Sequence, residues 1–255
     1  MEQLVVKNIA LTIQHIHIAD NRPTIIFLHD SLGCIELWRD FPQALGKATN
    51  CNVLVYDRQG YGKSAPFGIA ERNNDYMELE ANVLNDLIMK LGIKDVILLG
   101  HSDGGSIALI AAGKYPQNIR AVITEGAHIF VEEITLQGIR AGAEAYRTTN
   151  LKERLQKYHG DKTEAMFWAW AKTWLTDQFC TWNIESFLPQ IQCPVLVIQG
   201  NKDEYGTEAQ VDGIVNQTSG EAVKLMIPEI GHTPHKEARE TVLKESAGFI
   251  ARLID

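Results

Sequence analysis

Short apolar runs bounded by turn residues recur along the chain with helix-period segments between them, the alternation expected of a mostly parallel sheet covered by helices. The runs predict strands over residues 3–7, 11–18, 24–29, 52–56, 95–100, 120–125, 194–199 and 223–227. Four of them, centred on Thr24–Leu28, Val53–Tyr56, Val96–Leu99 and Val195–Ile198, are almost wholly apolar, as strands buried on both faces should be. Residues Leu11 to Ile18 instead alternate apolar with polar, which predicts an antiparallel edge strand with one wet face. Helix-period segments fall at 36–48, 75–91, 103–115, 207–218 and 235–253. From His128 to Pro189 no strand-like run appears, although the alternation resumes afterwards. The pattern therefore predicts one α/β domain, residues 1–127 and 190–255, carrying a helical insertion at 128–189. Four of the five tryptophans (Trp168, Trp170, Trp174 and Trp182) lie in that insertion. Phe167, Trp170 and Trp174 stand at i, i+3, i+7, one face of a helix.

A length of 255 residues suits a single domain of this kind. The formal net charge of −8, with no Lys/Arg block, argues against a nucleic-acid partner. No apolar run is long enough to span a bilayer and the first residues lack a signal-peptide pattern, so the expectation is a cytoplasmic protein with no membrane partner. Cys34, Cys51, Cys180 and Cys193 show no C-x-x-C spacing, so free thiols are expected. His15 with His17, or His232 with His235, have metal-compatible spacing, but no third ligand accompanies either pair and no metal site is expected.

The chemistry concentrates in Gly100-His101-Ser102-Asp103-Gly104, a G-x-S-x-G placed directly after one apolar run and directly before a helical pattern. A strand that turns sharply into a helix at a serine needs glycine neighbours, and it holds the hydroxyl out at the strand's end. A serine hydroxyl near neutral pH needs a histidine base and a carboxylate to orient that base. Asp203 follows the apolar strand at 194–199, and His232 follows the strand at 223–227. Glu204 or Glu125 could replace Asp203 by position, and His235 could replace His232. His29 and His101 read as structural hydrogen-bond donors.

The order Ser, Asp, His, each after a strand, resembles the α/β-hydrolase fold superfamily, in its serine-nucleophile, esterase-like branch with a helical lid. Three further segments carry the resemblance: His29-Asp30-Ser31-Leu32-Gly33 is similar to the H-G-x-x-G oxyanion loop, Asp57-Arg58-Gln59-Gly60-Tyr61-Gly62-Lys63-Ser64 to D-x-x-G-x-G-x-S, and Gly231-His232 to the terminal G-H. The resemblance implies a sheet of about eight strands and an oxyanion hole made by the backbone N–H groups of Ser31 and Asp103. It also implies that residues 128–189 form a lid, with Phe130, Trp170 and Trp174 as candidate walls of a substrate pocket. Asp30 departs from the family's usual glycine, in a way that looks like the dehalogenase and epoxide-hydrolase branches. Those branches use an aspartate nucleophile where this chain has Ser102.

The expectation is therefore a serine hydrolase of a small-molecule ester or thioester with a partly apolar acyl group, working through Ser102, His232 and Asp203 by an acyl-enzyme. This chemistry requires no metal or organic cofactor. The same fold and triad also support C–C bond hydrolysis, cofactor-free lyase chemistry and perhydrolysis, and a ligand receptor that retains the triad is the non-enzymatic alternative. Oligomeric state is left open by the sequence.

Overall fold

In a computed structural model, which describes residues 1–68 and 72–254, the strands assemble into one eight-stranded sheet. In chain order they are β1 (Glu2–Val6), β2 (Ile9–Ile16), β3 (Thr24–Leu28), β4 (Asn52–Tyr56), β5 (Val96–His101), β6 (Ile119–Glu125), β7 (Val195–Gly200) and β8 (Ala222–Ile227). The order across the sheet is β1-β2-β4-β3-β5-β6-β7-β8, with β2 antiparallel to both its neighbours, β1 and β4, and every other pair parallel. The helices are α1 (Phe41–Thr49), α2 (Tyr76–Leu91), α3 (Asp103–Lys114), α4 (Glu133–Thr148), α5 (Leu151–His159), α6 (Thr163–Trp174), α7 (Glu208–Gln217), α8 (Pro234–Glu237) and α9 (Arg239–Ile254).

Alternate residues of the central strands enter two different cores, which is why their sequences are apolar throughout. Ile26, Leu28, Leu54, Val96, Leu98, Val122 and Val197 face one side, with Leu84 and Leu87 of α2, Ile107 of α3 and Ile214 of α7. Ile25, Phe27, Val53, Ile97, Leu99, Ile123 and Ile198 face the other, with Leu45 of α1 and Val242, Phe249 and Ile250 of α9. All five residues of β3 and all six of β5 and β7 are buried.

Three expectations change in detail. β2 is antiparallel but not an edge, because β1 pairs along its free side. Thr12, polar in the alternation, is buried: its hydroxyl accepts from Gln3 Nε2 (2.7 Å) and its N–H donates to Ser64 Oγ (2.8 Å). The helix expected at 36–48 divides into a 3₁₀ turn at Ile35–Trp38 and α1, whose second residue is Pro42; proline is accepted in a first turn and breaks a helix interior. The helix expected at 235–253 breaks at Ala238 into α8 and α9.

Between β6 and β7 the chain forms α4, α5, α6 and short 3₁₀ turns. Phe167, Trp170 and Trp174 of α6 are buried and continuous with the core on the α2/α3 side of the sheet.

Sequence order and spatial order part company at β3. The chain moves outward from β3 to β4 and then crosses back to lay β5 on the opposite side of β3. The loops after β3 and β5 diverge there, and a crevice outside the carboxyl ends of the strands at such a switch point is where open α/β sheets place ligands.

Candidate active site

Ser102 stands at that point, between the last residue of β5 and the first of α3, with φ 54° and ψ −121°. A non-glycine residue held there costs on the order of 1–3 kcal/mol, and the surrounding contacts enforce it. A Cβ on Gly100 would lie 2.2 Å from the Gly104 carbonyl oxygen, and one on Gly104 would lie 2.1 Å from the Leu28 carbonyl oxygen. Only glycine at both positions lets the turn close against β3, which is the physical content of the G-x-S-x-G spacing.

His232 and Asp203 meet the serine from the loops after β8 and β7. The Ser102 hydroxyl lies 2.9 Å from His232 Nε2, and His232 Nδ1 lies 2.9 Å from both carboxylate oxygens of Asp203. A carboxylate can only accept, so Nδ1 carries the proton and Nε2 presents its lone pair to the serine. Burial alone would raise the Asp203 carboxyl; the neighbouring His232 and the Tyr205 N–H, which donates to Oδ1 (2.8 Å), outweigh it and hold Asp203 below its ordinary value. Burial alone would lower His232, and the Asp203 carboxylate outweighs that too, raising the imidazole above its ordinary value. The arrangement thus favours an imidazolium, the state a histidine reaches when it takes a proton from a serine beside it.

The alternatives for acid and base separate in space. Glu125 receives both the backbone N–H (2.8 Å) and Nδ1 (2.9 Å) of His235, forming a second, buried pair beside Trp38 and Phe41. Glu204 accepts the backbone N–H of His232 (3.2 Å), while the ring's carboxylate partner is Asp203. His101 donates from Nε2 to the His232 carbonyl (2.8 Å), bracing that loop from behind.

The loop after β3 is tied down by the residues after β4. The Arg58 N–H donates to His29 Nε2 (3.1 Å), His29 Nδ1 donates to the Asp30 carbonyl (2.8 Å), and Arg58 Nη2 donates to that same carbonyl (2.9 Å). Asp57 accepts the N–H groups of Ile35 (2.7 Å) and Lys63 (2.8 Å). The D-x-x-G-x-G-x-S segment is in this way a clamp on the His29–Gly33 loop. The inserted helices add a second clamp: His159, at the end of α5, accepts the Gly62 N–H at Nδ1 (3.0 Å) and donates from Nε2 to the Leu32 carbonyl (3.1 Å). Gly33 N–H donates to the Asp30 carbonyl (3.2 Å), closing a turn around Ser31 and Leu32. Asp103 opens α3, so its N–H has no carbonyl one turn back within the helix.

Three aromatic rings flank His232: Tyr205 (centroids 4.7 Å apart), His101 (5.1 Å) and His128 (5.7 Å). Tyr205 packs closely on α4 at Gly138, where a Cβ would lie 2.8 Å from its ring. Of the expected pocket residues, Trp174 is one ring removed, edge-on to His128 at 5.5 Å, and its indole N–H donates to the Tyr76 hydroxyl (3.1 Å), which in turn donates to Asp103 Oδ2 (2.9 Å). Trp170 packs on Phe167 and against Gly142. Phe130 is half-buried and bridges to Asn183. Sequence reasoning missed Gly126, Tyr205 and His128; the placement of Gly126 and His128 immediately after an apolar strand ending level with β5 was the available signal.

Among the described residues no group of three or more His, Cys, Asp or Glu side chains could hold a metal ion, and no helix is long and apolar enough to cross a membrane.

A strained serine at a strand-to-helix elbow, backed by histidine and carboxylate at a sheet's switch point, defines the hydrolases of the α/β class. The chain belongs to the alpha/beta hydrolase fold family, whose sequence profile matches residues 23–175. It is similar to the human serine hydrolase BPHL, at 32% identity over 208 residues covering 78% of this chain and 69% of that protein. It is also similar to the 2-hydroxy-6-oxononadienedioate/2-hydroxy-6-oxononatrienedioate hydrolase of Klebsiella pneumoniae, at 27% identity over 213 residues covering 73% of each. In fold it matches MGS-M2, an alpha/beta hydrolase from a Medee basin deep-sea metagenome library, with a TM-score of 0.78 and 19% identity over 97% of this chain and 96% of that one.

Proposed function

We propose that the protein is a serine hydrolase of small carboxylic esters or thioesters. The observation that carries this is the continuous hydrogen-bonded line from Asp203 through His232 to the Ser102 hydroxyl. In the proposed cycle His232 Nε2 takes the Ser102 proton as Oγ bonds to the substrate carbonyl carbon. The oxyanion is received by the N–H groups of Ser31 and Asp103, a pair of donors each worth about a hundredfold or more in rate. The imidazolium then protonates the departing alcohol or thiol, and a water molecule, deprotonated by the same nitrogen, releases the acid from the acyl-enzyme. The helices at 128–189 act as a lid, clamped to the oxyanion loop by His159. Similarity to a serine hydrolase at 32% identity supports the reading.

Intact-mass measurement after exposure to a fluorophosphonate tests it. One adduct is expected, mapping to Ser102 and lost in Ser102→Ala; an adduct on that variant, or none on the wild type, would overturn the proposal. Similarity to the Klebsiella C–C hydrolase supports a second reading, hydrolysis of a C–C bond in a vinylogous diketone by the same three residues. Loss of a dienol chromophore with no turnover of simple esters would favour it over the first.

A further inference from the structure

Two buried histidines have both ring nitrogens engaged: His29 and His159 each use one nitrogen as donor and the other as acceptor. His128 is different. The residue is 3% exposed, and its Nε2 lies 3.1 Å from the Tyr205 carbonyl. A carbonyl only accepts, so Nε2 carries the proton and Nδ1 holds a bare lone pair. That Nδ1 is enclosed and meets no hydrogen-bonding partner. A buried acceptor left unpaired costs free energy, and such an atom in a folded protein needs an explanation.

Its position supplies one. His128 follows β6 by three residues, and its ring centroid lies 5.7 Å from that of His232 and 5.5 Å from that of Trp174. The residue is fixed there at both backbone groups by one hydroxyl: its N–H donates to Ser106 Oγ (3.1 Å), and Ser106 Oγ donates to its carbonyl (2.6 Å). The Tyr205 bond fixes the ring rotation. Burial, with His232 alongside, keeps the imidazole neutral and therefore an acceptor. A rigid, neutral acceptor with an unused lone pair, one ring from the base, matches an O–H donor brought in by a ligand.

We propose that His128 is a substrate-recognition residue whose Nδ1 accepts a hydrogen bond from a hydroxyl group of the ester bound at Ser102, so that hydroxylated esters are preferred over their deoxy counterparts. The proposal rests on the serine-hydrolase reading, which fluorophosphonate labelling of the wild type checks separately. The hydroxyl could sit on the acyl or on the alcohol side, and two substrate pairs distinguish these: p-nitrophenyl 3-hydroxybutyrate against p-nitrophenyl butyrate, and 2-hydroxyethyl butyrate against ethyl butyrate. In the wild type one pair should show a kcat/KM ratio of about tenfold or more in favour of the hydroxylated member. In His128→Phe that ratio should fall to about one, chiefly through loss on the hydroxylated ester, and His128→Asn, whose amide oxygen can stand near the Nδ1 position, should restore part of it. If His128→Phe does not fold, His128→Gln, which can keep a donor toward Tyr205 while displacing the acceptor, is measured instead. Wild-type ratios near one in both pairs would overturn the proposal even with Ser102 labelled. So would a variant that loses both members of a pair equally, since a purely structural histidine behaves that way.

Discussion

Gly126 offers the sharpest test of how closely the fold constrains His232, the proposed base. It follows β6 with φ +55°, and a Cβ there would lie 2.9 Å from His232 Cε1, 3.0 Å from His232 Nδ1 and 3.3 Å from Asp203 Oδ2. Carbon contacts are ordinarily 3.4 Å or longer, so in Gly126→Ala the imidazole must retreat by about 0.5 Å. The Ser102–His232 hydrogen bond, at 2.9 Å, has no such slack. Because a misplacement of about 1 Å costs on the order of a hundredfold, the variant should lose roughly tenfold or more in kcat, with KM changed much less. The left-handed φ adds about 1–2 kcal/mol of destabilisation independent of the clash. Gly92→Ala separates the two effects, since Gly92 has φ +65° and nothing within 4 Å of the place a Cβ would take. That control should lower the Tm and leave kcat alone. Ester hydrolysis and thermal melts on both variants are the assay, and a Gly126→Ala enzyme with kcat within twofold of wild type would refute the reasoning.

Asp203→Asn should lower kcat by about a thousandfold or more with little change in KM, because an amide can no longer accept both the His232 and Tyr205 protons as a charge; Glu125→Gln should be mild, and the reverse ranking in steady-state kinetics would move the acid to β6. The rate should rise with pH through a midpoint above 6.5, since Asp203 raises His232 and only the neutral ring takes the serine proton; a midpoint below 6.5 in the pH profile would contradict this. Burial lowers His29, His101, His128 and His159, so the unfolded chain binds more protons than the native one below pH 6.5. Stability is therefore fully present above that pH and falls beneath it, by up to about 1.4 kcal/mol per group per pH unit, against opposite contributions from His232, Asp57 and Glu80, whose values are raised; a Tm that holds or rises from pH 7 to 5 would show otherwise. Trp174→Ala should cost about 3–5 kcal/mol in denaturant unfolding while leaving the preference among acetyl, butyryl and hexanoyl esters unchanged, because the indole packs on Phe179 and Trp182 and donates to Tyr76; a shifted acyl-length profile would return it to the pocket wall.

What could be read from the sequence was local in origin. A strand covered on both faces must be apolar at every position, so β3, β5 and β7 announce themselves. A serine forced into a strained turn needs flanking glycines, so the elbow does as well. What could not be read depended on which surfaces meet. Glu125 ends one parallel strand and Asp203 follows the end of the next, and His232 and His235 are three residues apart; only the packing of the β8–α8 loop decides that one imidazole turns to the β7 loop and the other to β6. The tryptophan stripe of α6 marks a buried face correctly, but periodicity does not say whether the surface it meets is core or ligand.

The pairing of the two histidines also explains why the second acid–histidine pair is worth its burial. The Glu125–His235 pair lies behind His101, whose ring is 5.1 Å from both His235 and His232 and whose Nε2 holds the His232 carbonyl. His235 belongs to α8, which begins two residues after His232. Anchoring His235 at both its N–H and its Nδ1 fixes the start of that helix to the end of β6, and so fixes the short segment that carries His232. One carboxylate sets the charge and tautomer of His232, and the other sets where its backbone stands; the proposed chemistry needs both, because a correctly protonated base about 1 Å out of place loses much of its rate.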